Sequence, residues 1–516
     1  MVKSYFPTEV AQLSTVFNKL QGQLRDRWVS IDHFDECDRQ ILVVPSLSLD
    51  QQELKKIEGV HYYEERLLVS IIRLRNPRTQ LVYVTSQPLH PSIIDYYLEL
   101  LPGIPSSHAR DRLRLFSTYD SSEKPLTQKI LERPRLIQRM RQTLKPQAAY
   151  MICYNSTALE RELSVKLDIP LLALDPELLY WGTKSGSRQI FAECGIPHPD
   201  GSELTDNSND LAVAAAELWE RQPRLQRMVI KLNEGFSGEG NALLDLSPLE
   251  GFAPGNASHR ERVRAICDYF PHLRFQCSTE IWDHFQCRIH ELGAIAEAFV
   301  EGSNKRSPSV QGRITPFGKV EILSTHDQVL GGLDSQIFLG CVFPADETYR
   351  LQLQAIGRKV GLNLAQKGAL ERYSVDFIAV PQPSEAEFPW ALHAIEINLR
   401  KGGTTHPFMA LKLLIGGCLN PNDGMFYSSH GQAKFYRASD NVQHESYRGL
   451  LPDDLMDIIV SRQLHFNASA GVGAAFHLIG CLSEYGKLGL TSIGNTPQEA
   501  EEIYNSVIDA LDEATS

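Results

Sequence analysis

The sequence has no apolar run long enough to cross a membrane, because none of its segments reaches the roughly 18 apolar residues of a spanning helix. Residues 1–6 contain no signal-peptide core either, so we expect a cytoplasmic protein with no membrane partner. An excess of positive charge is also missing, since the formal net charge is -12. A surface that binds nucleic acid needs a basic patch, so we expect no nucleic-acid partner.

Paired cysteines and the common nucleotide-binding glycine motifs are absent as well. The nine cysteines are scattered with no C-x-x-C pair, which argues against a zinc site or a disulfide framework and indicates reduced thiols. No G-x-G-x-x-G follows the first predicted strand, and no G-x-x-x-x-G-K-[ST] occurs. The sequence therefore carries neither a dinucleotide fingerprint nor a P-loop.

The composition is that of an ordinary globular protein, with 42% hydrophobic and 22% charged residues over 516 positions. That length is enough for three or four units with substantial cores. In the first 180 residues, short β-rich runs alternate with helical patterns, which predicts a parallel α/β sheet. The predicted strands are residues 41–45, 81–85, 113–117 and 150–154, and the clearest helical stretches are residues 93–101 and 131–144.

A strand rich in polar chemistry is predicted at residues 393–400, where apolar and polar side chains alternate. Ile395, Ile397 and Leu399 are expected to face the core, and Glu396, Asn398 and Arg400 the opposite side. A carboxylate and an amide oxygen are hard ligands suited to Mg²⁺. A guanidinium suits the oxygens of a phosphate or carboxylate.

A second carboxylate, Asp376, lies on the predicted strand 373–380 just upstream. Alone, such a residue favours a solvated position on a half-buried strand over a metal ligand. Next to a strand that carries Glu-x-Asn, it predicts a metal site in which Asp376, Glu396 and Asn398 converge on one or two Mg²⁺ ions.

This pair of strands resembles the metal-binding end of the ATP-grasp carboxylate–amine ligases. The motif E-I-N-L-R-K-G-G-T-T-H-P at residues 396–407 is similar to that of the peptide-ligase branch related to pheganomycin biosynthesis. The resemblance covers residues 180–407, with its elements in the family's order. It implies an α/β protein with an ATP-grasp fold, in which two α+β lobes clamp ATP. The implied units are a Rossmann-like domain at 1–180, a lid lobe with a glycine-rich loop at 181–300, a metal-binding lobe at 301–420 and a C-terminal α/β extension at 421–516.

The resemblance also implies residues that bind ATP. Lys184, at the start of a helix, and Lys231, at the end of an apolar strand, would reach the phosphates. An ammonium in an apolar strand is costly unless it meets an anion, which supports Lys231 independently. The remaining implied ATP contacts are Ser237, Gly238 and Gly240 of the glycine-rich loop, Glu297 near the adenine amino group, the backbone of Ala298, Phe299 and Val300, and Glu301 at the ribose.

Two arginines and a turn complete the expected site. Arg400 would stabilise an acyl phosphate, and Arg313 either approaches the triphosphate from the far side or forms a surface salt bridge. The Gly-Gly-Thr-Thr turn offers backbone N–H groups to substrate oxygens. Its residues are Gly402, Gly403, Thr404 and Thr405.

The expected function is an ATP- and Mg²⁺-dependent ligase that forms an amide through an acyl phosphate and releases ADP and phosphate. Its partners would be a small-molecule or peptide carboxylate and an amine. Two alternatives stay open at this point: a phosphotransferase, and a non-catalytic ATP-binding sensor or scaffold. The sequence also leaves open whether the chain forms a homodimer.

Overall fold

The fold is given by a computed structural model of the chain. It describes residues 7–32, 38–49, 51–235, 240–276, 280–331, 337–383 and 388–516. The described strands form three sheets, of four, four and ten strands.

A four-stranded parallel sheet forms the N-terminal unit, which confirms the pattern expected from the sequence. Its order is β3-β2-β1-β4, and all of its pairings are parallel. The strands are β1 (Arg39–Val44), β2 (Thr79–Thr85), β3 (Leu113–Ser117) and β4 (Ala149–Cys153). The helices are α1 (Pro7–Asp32), α2 (Gln51–Lys56), α3 (Pro91–Glu99), α4 (Ser106–Arg110), α5 (Leu126–Leu131), α6 (Pro134–Thr143) and α7 (Ala158–Leu167). All six residues of β1 are buried, as expected for a central strand covered on both faces.

A four-stranded antiparallel sheet forms the second unit, in the order β7-β6-β5-β8. Its elements are α9 (Ser208–Arg221), β5 (Arg227–Leu232), β6 (Asn241–Asp245), α10 (His259–Tyr269), β7 (Arg274–Phe275), α11 (Trp282–Leu292) and β8 (Ala294–Ala298). Helix α8 (Lys184–Glu193), which comes before them in the chain, packs in the core of the third unit instead. The alanine-rich face of α9 packs on this sheet, because Ala212, Ala215 and Ala216 share a core with Met228 and Ile230 of β5.

A ten-stranded antiparallel sheet forms the third and largest unit, with the order β13-β12-β9-β10-β11-β16-β15-β14, and β18 pairs with β16 and β17. The elements up to residue 420 are β9 (Pro308–Ile314), β10 (Val320–Gly331), β11 (Ile337–Phe343), α12 (Arg350–Gln366), β12 (Glu371–Pro381), β13 (Trp390–Asn398), α13 (Thr405–Ile415) and β14 (Cys418–Leu419). Those that follow are β15 (Phe426–Tyr427), β16 (Ala433–Gln443), α14 (Pro452–Ser461), β17 (Gly473–His477), α15 (Cys481–Tyr485), β18 (Lys487–Gly494) and α16 (Pro497–Ala514). The residues after 420 therefore extend the sheet that holds β12 and β13.

The two ends of the chain share one hydrophobic core. Leu68, between β1 and β2, belongs to the same buried cluster as Leu411 of α13 and Leu490 of β18. The connection from β1 to β2 is itself unusual, because residues Val60–Arg75 form a long 3₁₀ segment that is mostly buried. Short 3₁₀ segments also occur at Pro176–Gly182, Ser247–Phe252, Phe270–His272 and Glu445–Tyr447.

Within the ranges that the structure describes, no helix is both long and apolar enough to span a membrane.

A buried carboxyl group joins the two ends of the chain. Both side-chain oxygens of Glu65 accept from the backbone N–H of Gly480, at 3.2 and 3.1 Å. Burial raises the pKa of Glu65 from 4.5 to about 8, and that of its neighbour Glu64 to about 7. Between pH 4.5 and about 8, the Glu65 carboxyl group therefore holds more protons in the folded state than in the unfolded state. The stability that protonated Glu65 contributes below pH 4.5 is lost as the pH rises towards 8.

We expect Glu65→Gln to reduce this pH dependence, because the amide keeps the shape of the side chain but does not ionise. The fall in Tm between pH 5 and 8, measured by calorimetry, should shrink by at least about 2 °C. Glu484→Gln, which removes a nearby carboxylate bound to the Tyr62 hydroxyl, is the control and should keep the wild-type slope. An unchanged slope in Glu65→Gln would show that Glu65 is ionised in the folded protein.

Candidate active site

A cavity of about 860 Å³ lies where the three units meet. Its walls come from the end of β8, from β10, β12 and β13, from the turn after β13, and from the two ends of the chain. The predicted metal ligands and five of the ten predicted ATP contacts line this cavity, together with residues that no sequence motif marked; Lys184 is not among the residues that line it. Asp376, Glu396, Asn398 and Arg400 all contribute to its surface.

The pairing of β12 with β13 brings the three predicted metal ligands together. The strands are antiparallel, with Asp376 opposite Glu396 and Ser374 opposite Asn398. Asn398 Nδ2 donates to Asp376 Oδ2 at 2.9 Å, and Gln328 Nε2 of β10 donates to Asp376 Oδ1 at 2.8 Å. The convergence expected from the sequence is therefore present in the structure.

A β-bulge corrects one expectation about β13. The register shifts between Asp376 and Phe377, so that Phe377 lies opposite Ala394 and Ile395 is the extra residue. Ile397 and Leu399 are buried as expected, but Ile395 is only half-buried and lines the cavity. The prediction that Ile395 faces the core is wrong, because the bulge changes the phase of the alternation.

The electrostatics of the cluster are those of two carboxylates held together away from water. Burial, together with the neighbouring Glu396, raises the pKa of Asp376 to about 7. Burial also opposes ionisation of Glu396, but the Lys184 ammonium, 2.6 Å from Glu396 Oε2, outweighs it and holds the pKa of Glu396 below its usual value. The Glu396 carboxylate therefore has a cation as its partner, whereas the ionised form of Asp376 is destabilised.

The donor set fits Mg²⁺. It offers two carboxylates and the amide oxygen of Asn398, and hard oxygen ligands are what Mg²⁺ prefers. A divalent cation would also relieve the repulsion that raises the pKa of Asp376. Asp376, Glu396 and Asn398 are the residues that would hold it.

Helix α8 places Lys184 beside this cluster and ties two units together. The helix begins at Lys184, and Thr183 caps it by accepting from the Gly186 N–H at 3.1 Å. A side chain at position 186 would meet the Tyr180 carbonyl oxygen at 2.0 Å, so this position requires glycine. Asn233, after β5, accepts from the Lys184 and Ser185 N–H groups at 3.1 and 3.0 Å.

The first turn of α8 is also fixed to β13, since Ser187 Oγ accepts from the Ile397 N–H at 3.0 Å. This short helix therefore sets the position of the Lys184 ammonium relative to both lobes.

A second buried ion pair lies on the opposite wall of the cavity. Lys231 forms an ion pair with Glu297, and Arg188 Nη1 lies 3.1 Å from the other oxygen of the same carboxylate. Burial opposes ionisation of Glu297, but Lys231 and Arg188 outweigh it and lower its pKa. Lys231 and Glu297 are 6% and 2% exposed, and both line the cavity.

Among the described residues 298–300, one backbone N–H is left to recognise a base. The Ala298 and Phe299 N–H groups donate to the carbonyls of Asp200 and Arg227, at 2.8 and 3.2 Å. The Val300 carbonyl accepts from Lys305 Nζ at 2.9 Å. In the part of the chain that the structure describes, no group accepts from the Val300 N–H. Since all three residues line the cavity, Val300 N–H is the donor most suited to an adenine nitrogen.

Several predicted residues lie elsewhere. Glu301 is paired with Arg227 and lines a separate surface groove. Arg313 is paired with Glu321, with Nη2 and Oε2 2.5 Å apart, and does not line the cavity. Ser237 and Gly238 lie outside the described residues. Gly240 is described and packs beside Leu232 and Gly235.

The turn after β13 is built largely from contacts within itself and with β9. Gly402 N–H donates to Thr405 Oγ1 at 3.0 Å, and Gln311 Nε2 donates to Thr404 Oγ1. Thr405 is buried beneath the turn, whereas Gly402, Gly403 and Thr404 line the cavity. A side chain at position 403 would lie 2.5 Å from the Phe338 ring, so glycine is required there.

One further part of the cavity wall was not predicted from any sequence motif. Tyr63 and Arg66 come from the buried 3₁₀ segment, Asp440 from β16 and Lys487 from β18. The sequence did contain one signal that Lys487 could bind an anion, because Lys487 comes directly before an apolar run just as Lys231 lies at the end of one. An ammonium in such a place is costly unless an anion meets it.

Two family descriptions match parts of the chain. "IQCH-like, ATP-grasp" matches residues 176–266 and 261–421, and "PGM1 C-terminal domain" matches residues 454–507. The first match spans the metal cluster and both lysine pairs.

Two curated proteins are similar over most of the chain. L-propargylglycine--L-glutamate ligase from Streptantibioticus cattleyicolor is 27% identical over 491 residues, which cover 93% of this chain and 95% of that protein. IQ motif-containing protein H from Danio rerio is 22% identical over 455 residues, which cover 81% of this chain. The matched residues cover only 42% of IQ motif-containing protein H, so this chain spans less than half of the length of that relative.

Among solved structures, the biotin carboxylase domain of 2-oxoglutarate carboxylase from Hydrogenobacter thermophilus, in complex with MgADP, ADP and bicarbonate, is similar with a TM-score of 0.53. The identity is 13%, and the match covers 91% of this chain and 89% of that one. At this identity the likeness concerns the fold alone, and it confirms the fold class expected from the sequence.

We expect Glu396→Gln to weaken Mg²⁺-dependent binding of ATP by about 30-fold or more, because a charged ligand is replaced by a neutral one. Calorimetric titration with ATP, with and without Mg²⁺, measures this change. Glu321→Gln is the matched control, since Glu321 and Glu396 have the same side-chain exposure of 21% and Glu321 lies outside the cavity. Equal loss in both variants would contradict the metal assignment.

We expect Lys231→Met to weaken ATP binding by about tenfold or more, because a buried phosphate contact is lost. The single variant also leaves Glu297 with only one cation, which destabilises the fold. Lys231→Met combined with Glu297→Gln removes that unpaired charge. The double variant should regain the wild-type Tm but not the ATP affinity, and recovery of both would contradict a phosphate role for Lys231.

Proposed function

Since this chain is an ATP-grasp superfamily protein, we propose that it is a ligase that joins a carboxylate to an amine and converts ATP to ADP and phosphate. The observation that carries the proposal is the convergence of Asp376, Glu396 and Asn398 at a cavity that also contains Lys231 and Arg400. Such a cluster can bind a triphosphate at its γ-phosphoryl group, and the cavity continues beyond it.

The proposed reaction has two steps that balance. A carboxylate oxygen bonds to the γ-phosphorus while the bond from that phosphorus to the ADP oxygen breaks, which gives an acyl phosphate and ADP. The amine nitrogen then bonds to the acyl carbon, the carbon–oxygen bond to phosphate breaks, and the nitrogen loses a proton to solvent. The products are an amide, ADP and phosphate.

The chain's own residues serve this reaction by binding and charge stabilisation. When bound at Asp376, Glu396 and Asn398, Mg²⁺ supplies neutralisation of phosphate charge. Lys184 and Lys231 bind phosphate oxygens, and Arg400 stabilises the acyl phosphate and the tetrahedral species that follows. No side chain acts as a covalent nucleophile.

Amino acids are the proposed substrate class. Support comes from the S. cattleyicolor relative, whose name gives L-propargylglycine and L-glutamate as substrates and which this chain matches over 95% of its length. Amide formation between two amino acids needs a cavity that holds both beside the γ-phosphate. A volume of about 860 Å³ is consistent with that requirement.

We expect one ADP and one phosphate for each amide bond formed, because the cations and metal ligands converge where the γ-phosphoryl group would lie. The test incubates the protein with Mg²⁺, ATP, L-glutamate and a pool of L-amino acids. Mass spectrometry then searches for condensed masses, and nucleotide and phosphate assays give the stoichiometry.

The other outcomes separate the alternatives. Formation of one AMP and one pyrophosphate for each new amide bond would contradict the acyl-phosphate mechanism. ADP with a stable phosphorylated product, independent of any amine, would identify a phosphotransferase. ATP binding without any product would identify a sensor or scaffold.

A further inference from the structure

The end of the cavity formed by the two ends of the chain has an unusual charge arrangement. The Tyr63 side chain contacts two cations, with the Arg66 guanidinium carbon 4.1 Å from the ring centroid and the Lys487 Nζ 5.3 Å from it, beside the hydroxyl. These three residues are 8%, 6% and 8% exposed, and all three line the cavity. Asp440 lines the cavity beside them.

Only one of these two cations has a carboxylate partner. Arg66 forms an ion pair with Asp440 and donates to the Tyr154 hydroxyl at 2.8 Å. Asp440 is fully engaged, because its second oxygen lies 3.0 Å from His477 Nε2. Lys487 Nζ donates to the Tyr63 hydroxyl at 3.0 Å, and in the described ranges it forms no ion pair. Two of its three N–H donors are therefore available at the cavity.

The nearby carboxyl groups do not neutralise Lys487. Glu58 lines the cavity but is half exposed, accepts from Gln443 and lies 4.0 Å from Arg448. Glu65 accepts from the Gly480 N–H, and burial raises its pKa to about 8. Glu484 accepts from the Tyr62 hydroxyl. Lys487 is thus a buried ammonium whose charge is not matched by its protein surroundings.

A buried, unmatched ammonium is costly, and the cost is recovered when an anion binds it. Carboxylates form short, charge-assisted hydrogen bonds with ammonium groups. Four strands of the large sheet lie between β12, which carries Asp376, and β18, which begins at Lys487. An anion at Lys487 would therefore bind at a different part of the sheet from the Asp376 cluster.

We propose that Lys487, oriented by Tyr63, binds the non-reacting carboxylate of an amino-acid or short-peptide substrate and makes the protein select such substrates over their neutral analogues. This inference rests on the proposed ligase function, which forms an amide at one carboxylate and must leave another intact. A cation at the far end of the cavity would hold the second carboxylate away from the γ-phosphate.

The test compares carboxylates with matched carboxamides. Each member of a panel of L-amino acids and dipeptides is paired with its C-terminal carboxamide, and saturation-transfer NMR and calorimetry measure binding to the protein loaded with Mg²⁺ and ADP. Wild-type protein should bind the preferred carboxylate about 10- to 100-fold more tightly than its carboxamide, the range expected for one charge-assisted hydrogen-bonded contact. Equal binding of carboxylate and carboxamide by the wild-type protein would overturn the proposal.

Variants of the lysines that line the cavity identify the residue that causes the preference for carboxylates over carboxamides. Lys487→Gln should abolish the preference and leave ADP affinity unchanged, whereas Lys487→Arg should retain most of it. Lys56→Gln is the matched control, because Lys56 lines the same cavity but its Nζ lies 3.4 Å from Glu280, and it should behave as wild type. A full preference in Lys487→Gln would overturn the proposal.

These measurements need no turnover, so they separate the two proposals. Selective binding of carboxylates without amide formation would refute the ligase and keep the role of Lys487 as a carboxylate contact. Amide formation without such selectivity would refute the role of Lys487 and keep the ligase.

Discussion

The structure depends most on holding two carboxylates side by side at a half-buried point of the large sheet. Asp376 and Glu396 lie opposite each other on β12 and β13, and their mutual repulsion contributes to the raised pKa of Asp376. Such an arrangement persists only if other groups offset its cost. Lys184 does so for Glu396, and the amides of Gln328 and Asn398 do so for Asp376.

The elements around this point are arranged to bring those compensating groups to it. Helix α8 carries Lys184 and is fixed both to β13, through Ser187, and to the antiparallel unit, through Asn233. The antiparallel unit in turn contributes the Lys231–Glu297 pair on the opposite wall. The Lys184–Glu396 pair therefore joins α8 to the ten-stranded sheet, whereas Lys231 and Glu297 pair with each other inside the antiparallel unit.

The ends of the chain form the remaining wall because they share a core. The buried 3₁₀ segment between β1 and β2 packs with α13 and β18, so that Tyr63 and Arg66 meet Asp440 and Lys487. Residues distant by about 420 positions thereby line one end of the cavity, with Lys487 Nζ 3.0 Å from the Tyr63 hydroxyl. Asp376 and Glu396 belong to the same sheet as Asp440 and Lys487, but they lie on β12 and β13, so the two charged parts of the cavity are built from different strands.

Local patterns in the sequence were enough to predict most of the elements and the cluster of polar side chains on β12 and β13. The alternation of apolar and polar residues predicted β12 and β13, and because these strands are neighbours in the chain and pair directly, the convergence of Asp376 with Glu396 and Asn398 followed. Alternating runs likewise predicted the parallel sheet of the first unit, and the ATP-grasp fold expected from the resemblance is confirmed. Tertiary structure alone decided the bulge that turns Ile395 into the cavity, the pairing of Arg313 with Glu321 outside it, and the meeting of Lys487 with Tyr63. Those features depend on the pairing register and on contacts between residues far apart in the chain, whereas periodicity reports only which residues of one element share a face.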